Sequence, residues 1–442
     1  MLTFIKEIII GQKKRHLTIA MVFAILFCFD FILVVMLTNI PNDTDSLSPL
    51  IASILIMLVI LISFILLLFI NNFFISEKSD EFSIILLSGR NVLQISKYII
   101  IQFGTLFILT ATIGGLLGYF FINNIHYIFN NMLMIEIFKI HSLLKINYYF
   151  IALLAIKLCF LFIIDFGKFM DIKFRIVEYM NHIQKHKTKV SFFSSFIVEK
   201  EKKSFPIWQF TIVFLSLFII ITSIQHIIVI KDFVSLLIYF TSSLIALVFF
   251  IKYFIPLFLD IFHNNWLIKQ PKILIAINRL IYLMKAMFPL TLINSLLIPF
   301  MFFLISIPKS SFYLLEITII CYLMLLIMII ISYIFRASIY IPSKSKDIAT
   351  LKAIGYSKKE IYTIHLIEVF LFFLFSALLP FIIYITVVYK SYTLLYINGT
   401  MITILIICYF FAYLFVAIYM IHSYISLTKG VIKDVKYLNR SE

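Results

Sequence analysis

The residues of this chain that could carry chemistry are its cysteines and histidines, one glycine–lysine pair, and a few charges set inside long apolar runs. The four cysteines, Cys28, Cys159, Cys321 and Cys408, each stand alone in an apolar stretch and form no C-x-x-C pair. They read as small packing residues, so neither a zinc site nor a disulfide framework is expected. The nine histidines are scattered and none has H-E-x-x-H spacing. Gly167–Lys168 lacks both the upstream glycine and the following hydroxyl of a phosphate-cradling loop. ATP would therefore be hydrolysed by a separate chain, if at all. No catalytic residue, metal ligand or cofactor site is expected in this chain, and an enzyme could arise only from groups assembled across helices.

Asp30 and Lys157 remain, each inside an apolar run. A charge at the centre of a membrane helix costs on the order of 2.5–3.5 kcal/mol and calls for a partner. Counted from the outer ends of their runs at about 1.5 Å per residue, the two fall within roughly one helical turn of each other in depth. A buried ion pair is a candidate reading; the competing one is that Lys157 snorkels or faces a polar cavity.

The elements that must position these groups are membrane helices. Hydrophobic residues make up 63% of the chain and charged residues 13%, whereas soluble domains hold roughly half and a quarter. Runs long enough to span a bilayer number about ten, at 17–37, 50–70, 98–122, 148–167, 207–230, 233–254, 286–307, 312–335, 364–389 and 401–421. The first has no small-residue cleavage site behind it and reads as an anchored helix. In the third, Gly114 and Gly118 form a G-x-x-x-G face that permits close helix approach.

The net charge of +16 is placed to set topology rather than to bind nucleic acid. Basic residues crowd the N-terminus, the loop with Lys78, Arg90 and Lys97, the segment 168–206, a stretch with Lys269, Lys272 and Arg279, the loop with Lys344 to Lys359, and the tail 424–442. The opposite loops hold few. By the positive-inside rule both termini are cytosolic, and the basic segments also meet anionic membrane lipid. The expected organisation is a first span in 1–49, a three-span block 50–167, a basic linker 168–206, central spans 207–311, a second three-span block 312–423 and the tail. The largest outer loop, 123–147, is expected to lie amphipathically on the membrane surface.

One stretch occurs twice at a constant offset: EKSDEFSIILLSGRNVLQI at 77–95 and SKSKDIATLKAIGYSKKEI at 343–361. Asp347 falls on Glu81, Ile348 on Phe82 and Gly355 on Gly89. Apolar residues recur at helical spacing before each glycine, as in Ile348, Leu351 and Ile354. Each loop therefore reads as a short amphipathic helix, a left-handed glycine cap and the next membrane helix.

An acidic residue, an apolar one, a short helical run and then Gly-x-Ser resembles the core motif of FtsX-like (MacB-type) ABC transporter permeases. The second copy matches through Lys352 and the run Lys-Ala-Ile-Gly-Tyr-Ser; the first has Arg90 and Asn91 where Tyr-Ser would stand. The resemblance implies an all-α polytopic membrane protein with two FtsX-like repeats, itself not an enzyme. It would work in the bacterial plasma membrane with a separate ABC ATPase dimer that holds ATP and magnesium. Glu81, Phe82, Gly89, Asp347, Ile348, Lys352 and Gly355 would be the handles gripped by that ATPase. Glu368 also matches a common acidic position of the family, with a role anchoring the base of its helix.

The span order is similar to the bacitracin-efflux-type branch, which implies export or release of an antimicrobial peptide or a hydrophobic, lipid-linked compound. That branch carries a large outer domain between its seventh and eighth spans, where this chain has only the few residues at 308–311. Two other readings stay open: an ion-coupled secondary transporter using Asp30 and Lys157, and an immunity protein signalling with a histidine kinase.

Overall fold

The computed structural model describes residues 13–40, 48–77, 92–133, 143–181, 207–229, 270–305, 312–378 and 399–438, with positions 242, 246, 249, 250, 253, 254 and 381. Among them no strand occurs. The helices are α1 (Lys13–Thr38), α2 (Ser48–Glu77), α3 (Val92–Leu133), α4 (Leu143–Asn181), α5 (Ile207–Val229), α6 (Pro271–Ile305), α7 (Phe312–Ser343), α8 (Ser345–Ala353), α9 (Lys358–Phe373), which continues into a π turn (Leu374–Leu378), and α10 (Gly399–Leu438). The protein is all-α, as its composition demands.

Seven stretches among the described residues are long and apolar enough to cross a membrane: Leu17–Thr38, Pro49–Asn72, Phe103–Ile122, Lys145–Gly167, Ile317–Ser343, Lys358–Leu378 and Ile406–Val431. They make this a multi-pass membrane protein. Of the ten expected spans, the fifth and seventh correspond to α5 and α6, and the sixth, 233–254, is described at only a few positions. Outward faces of the helices carry large apolar side chains, such as Ile113, Leu116 and Phe120 on α3 and Ile156, Phe160 and Ile163 on α4. Water would not tolerate such continuous apolar faces; lipid does.

The helices divide into two packing units. One holds α1–α4 with α7 through Met328; the other holds α5, α6, the rest of α7, and α8–α10. In the first unit α1 is the centre, packed by α2, α3 and α4. Lipid gives no hydrophobic reason for helices to associate, so close packing and small residues must do it. Gly114 and Gly118 supply that on α3: a Cβ at 114 would sit 2.7 Å from the Ala24 carbonyl oxygen, and one at 118 would sit 2.8 Å from Phe31. The phenyl rings of Phe23 and Phe103 (5.6 Å), Phe27 and Phe107 (4.7 Å), and Phe31 and Phe150 (5.1 Å) then meet edge to face around the close approach. The sequence offered the glycine face without its partner, which is the first span.

In the second unit α9 lies against α6 and α10, and α8 packs on α10. Tyr333 of α7 reaches Phe372 of α9 and Tyr413 of α10, with ring centroids 5.9 Å away in each case. Helix α3, at 42 residues, is about 63 Å long, twice a hydrocarbon thickness. The expected surface-lying loop 123–147 therefore begins as a continuation of a membrane helix to Leu133, while 134–142 lies outside the described residues.

Gly114→Ala should lower stability in detergent by about 1–3 kcal/mol, because the added methyl group meets backbone rather than a yielding side chain. Gly167→Ala, where nothing lies within 4 Å of the new methyl group, should be neutral or stabilising by up to about 1 kcal/mol. Thermal melting of the two purified variants checks the contrast.

Candidate functional site

The described copy of the repeated motif is an elbow. Pro342 in the last turn of α7 has no N–H to extend a helical ladder, and the chain breaks for one residue at Lys344 before α8 begins. Helix α8 ends in a Schellman motif. The Tyr356 N–H donates to the Leu351 carbonyl and the Gly355 N–H to the Lys352 carbonyl, both at 3.1 Å. Gly355 has φ +106° and open space around it, so backbone conformation alone demands glycine there. Ser357 then caps α9: its hydroxyl accepts from the Glu360 N–H at 3.3 Å, and its own N–H donates to Glu360 Oε2 at 2.9 Å. A cap ending one helix and a capping box starting the next lie two residues apart, which leaves the turn little freedom.

The elbow has two sides. Its back is apolar: Ile348 and Leu351 of α8 and Ile361 and Ile364 of α9 are buried with Ala276 of α6, and Leu427 and Val431 of α10 pack against them. Its front is charged and exposed, with Lys346, Asp347, Lys358 and Lys359. Ile354, 69% exposed at the tip, is the one large apolar side chain turned outward on α8 and its cap. Asp347 pairs with Lys344 at 3.2 Å, and Lys352 is half-buried. Ile348 is fully buried, so it holds the elbow to the helices behind rather than presenting itself to a partner.

Beneath the elbow lies a buried polar cluster. Tyr424 Oη of α10 donates to Glu368 Oε1 at 2.9 Å. His365 stacks on Tyr424 with centroids 4.1 Å apart, and its Nδ1 lies 3.6 Å from Glu368 Oε2 and 3.5 Å from Arg279 Nη1 of α6. Glu368 thus ties α9 to α10 at the base of the elbow. Deeper in, the π turn exposes two carbonyls that find side-chain donors: Ser376 O accepts from Asn294 Nδ2 at 3.3 Å, and Ala377 O accepts from Tyr409 Oη at 3.1 Å.

The first unit has its own buried network. Lys157 Nζ of α4 lies 2.6 Å from Asp30 Oδ2 of α1 and donates to Ser63 Oγ of α2 at 3.1 Å, with Lys157 2% and Asp30 0% exposed. One ammonium therefore ties three helices together. Asn71 Nδ2 donates to Asp165 Oδ1 at 2.6 Å, again between α2 and α4. Both α2–α4 pairs are 94 residues apart in the chain, so the two helices run parallel in constant register.

Of the residues singled out in the sequence, the structure brings together Asp30 with Lys157, and Gly114 and Gly118 with α1. It places Asp347, Ile348, Lys352 and Gly355 on one elbow. Glu81, Phe82 and Gly89 lie outside the described residues. Sequence reasoning missed Ser63, Asn71 and Asp165, and counted Arg279 only as a topological charge. Asp165 within an otherwise apolar run was the available signal. Among the described residues no group of three or more His, Cys, Asp or Glu gathers as metal ligands would.

A family model described as FtsX-like permease C-terminal matches residues 53–164, from within α2 to within α4. No curated protein matches the chain. The match makes this part of the first unit, which contains Ser63 and Lys157, similar to the FtsX-like permease domain.

Asp30→Asn or Lys157→Gln alone leaves a charge without its counter-ion in the packed interior, and each should destabilise the protein by about 3–5 kcal/mol. The Asp30→Asn/Lys157→Gln double variant should recover most of that loss. Unfolding midpoints of the four proteins in one detergent give the coupling directly.

Proposed function

We propose that this chain is the permease subunit of an ABC-type transporter, moving in response to ATP hydrolysis by a separate ATPase dimer that carries the nucleotide and magnesium. The observation that carries the reading is the FtsX-like permease match over 53–164, a family that normally works with such an ATPase. The elbow supports it: a rigid, solvent-facing tip with Ile354, Lys358 and Lys359, backed by three membrane helices, is suited to receive a push from outside the bilayer. The distribution of Lys and Arg supports a cytosolic elbow and cytosolic termini, on the side of the plasma membrane where ATP is available. Glu81, Phe82 and Gly89 would form the matching handle on the first unit, so that each unit is gripped once. Closure of the ATPase dimer then rocks the two units, a two-state movement of the kind that long-range coupling needs.

The cargo in this reading is an antimicrobial peptide or a hydrophobic, lipid-linked compound exported or released at the membrane, with signalling to a histidine kinase as a further role. Span order carries that choice. An ion-coupled secondary transporter would draw on the buried Asp30–Lys157 pair. Between that pair and Asn71–Asp165, however, the buried side chains on α2 and α4 include Leu66, Leu67 and Leu161, which offer an ion no polar path.

Tagged protein purified from its native membrane should bring an ATPase with it. Gly355→Pro removes the N–H that closes the Schellman motif and imposes a φ far from +106°, and it should cut the co-purified ATPase by roughly tenfold or more. Charge reversal at Lys346, Lys358 and Lys359 should do the same without touching the cap. An intact complex in the monodisperse charge-reversal variant would refute the coupling role. Uptake driven by an ion gradient in ATP-free vesicles would favour the secondary-transport reading.

A further inference from the structure

Helix α6 precedes the three-span block that contains the elbow, yet it is tied to α9 along most of a membrane thickness. At the elbow end Ala276 is fully buried among Ile348, Leu351, Ile361 and Ile364, and Ile275 packs against the same cluster. On the rim, Lys272 Nζ lies 3.0 Å from Glu360 Oε1 in the first turn of α9. Further along, Arg279 Nη1 lies 3.5 Å from His365 Nδ1, and Tyr340 Oη of α7 donates to the Arg279 carbonyl at 3.5 Å. From Arg279 to Asn294 is about 22 Å of helix. There Asn294 Nδ2 donates to Ser376 O of the π turn and to Tyr409 Oη of α10, both at 3.3 Å.

Sliding α6 along α9 would strip the partners of Arg279 and of Asn294 at the same time. Both are buried, Arg279 6% and Asn294 0% exposed, and an unpaired buried polar group costs about 1–3 kcal/mol, more when it is charged. Movement of the helices as one body breaks none of these contacts. Helix α10 joins that body through Leu427 and Val431 behind the elbow, Tyr424 on Glu368, and Tyr409 on the Ala377 carbonyl.

We propose that α6 is a limb driven by the elbow, with Ala276, Arg279 and Asn294 as positioning residues that fix it to α9, so that a push on the elbow moves α6, α9 and α10 together. This rests on the reading of the elbow as the ATPase handle. It extends that reading: the stroke reaches a helix outside the repeated block, and α6 is not a stationary post against which the elbow pivots.

The test uses the full chain in its ATPase complex, with Cys28, Cys159, Cys321 and Cys408 replaced by alanine. Lys272→Cys and Glu360→Cys, at partly exposed positions of a formed ion pair, are joined by a short bis-maleimide. ATP turnover is compared with that of the same variant before cross-linking. Turnover should stay within about threefold, because the bridged helices do not move relative to each other; a larger fall means that α6 and α9 must slide, and overturns the proposal. A bimane on Tyr282→Cys, at a position 59% exposed on α6, reports whether the limb moves, which a purely structural role would not require. In a second sample carrying the bimane in place of the bridge, ATP should shift its emission, and an unshifted spectrum overturns the proposal. Absence of ATP turnover in the complex of the unsubstituted chain overturns the ATPase reading itself, and this proposal with it.

Discussion

Hydrocarbon supplies no hydrogen-bond partner, and the packing of both units follows from that constraint. Asp30, Ser63 and Lys157 sit on three different helices and pair through one ammonium; Asn71 and Asp165 make a second polar link two turns further along α2 and α4. In the second unit the same demand is met by Arg279, His365, Glu368 and Tyr424 at one level and by Asn294, Tyr409 and the π-turn carbonyls at another. Lipid tails are as apolar as leucine, so apolar side chains alone do not say which face of a membrane helix turns inward. The polar pairs decide it. A rotation of any participating helix would leave a buried charge or amide unpaired.

At the elbow the constraint is inverted, since one side of a short helix must face water while the other joins the bundle. Helix α8 divides itself accordingly, with Ile348 and Leu351 inward and Lys346 and Asp347 outward. The left-handed Gly355 reverses the chain with its carbonyls satisfied, and Ser357 starts α9 with its first donors satisfied. The turn is thereby held at both of its ends, which suits a part that must transmit displacement rather than absorb it. The apolar clamp behind it and the polar cluster beneath it bring three other helices, α6, α9 and α10, to the same few residues.

Secondary structure and the placement of most spans were legible from the amino-acid sequence because hydrophobicity and helical period are local properties. The first predicted run, 17–37, and the observed apolar stretch Leu17–Thr38 differ by one residue, and 148–167 lies within Lys145–Gly167. The elbow was legible for the same reason: a glycine after an amphipathic turn and a Ser-x-x-Glu box are short-range signals. Asp30 and Lys157 could be paired by depth, since rise per residue is constant. Direction around the helix axis was not available, so Ser63 went unnoticed and Arg279 was counted only as a charge.

By itself, then, the sequence determined that this is a helical membrane protein, where most of its helices begin and end, and that a capped turn repeats a motif near the first block. Tertiary structure alone decided that α1 is the partner of Gly114 and Gly118, that one lysine serves three helices, and that α6 stands behind the elbow. The reason is physical. These contacts join residues many tens of positions apart in the chain, as far as 127 for Asp30 and Lys157, and which helix faces meet is set by how the whole bundle pairs its buried polar groups at once, a condition no local stretch of residues contains.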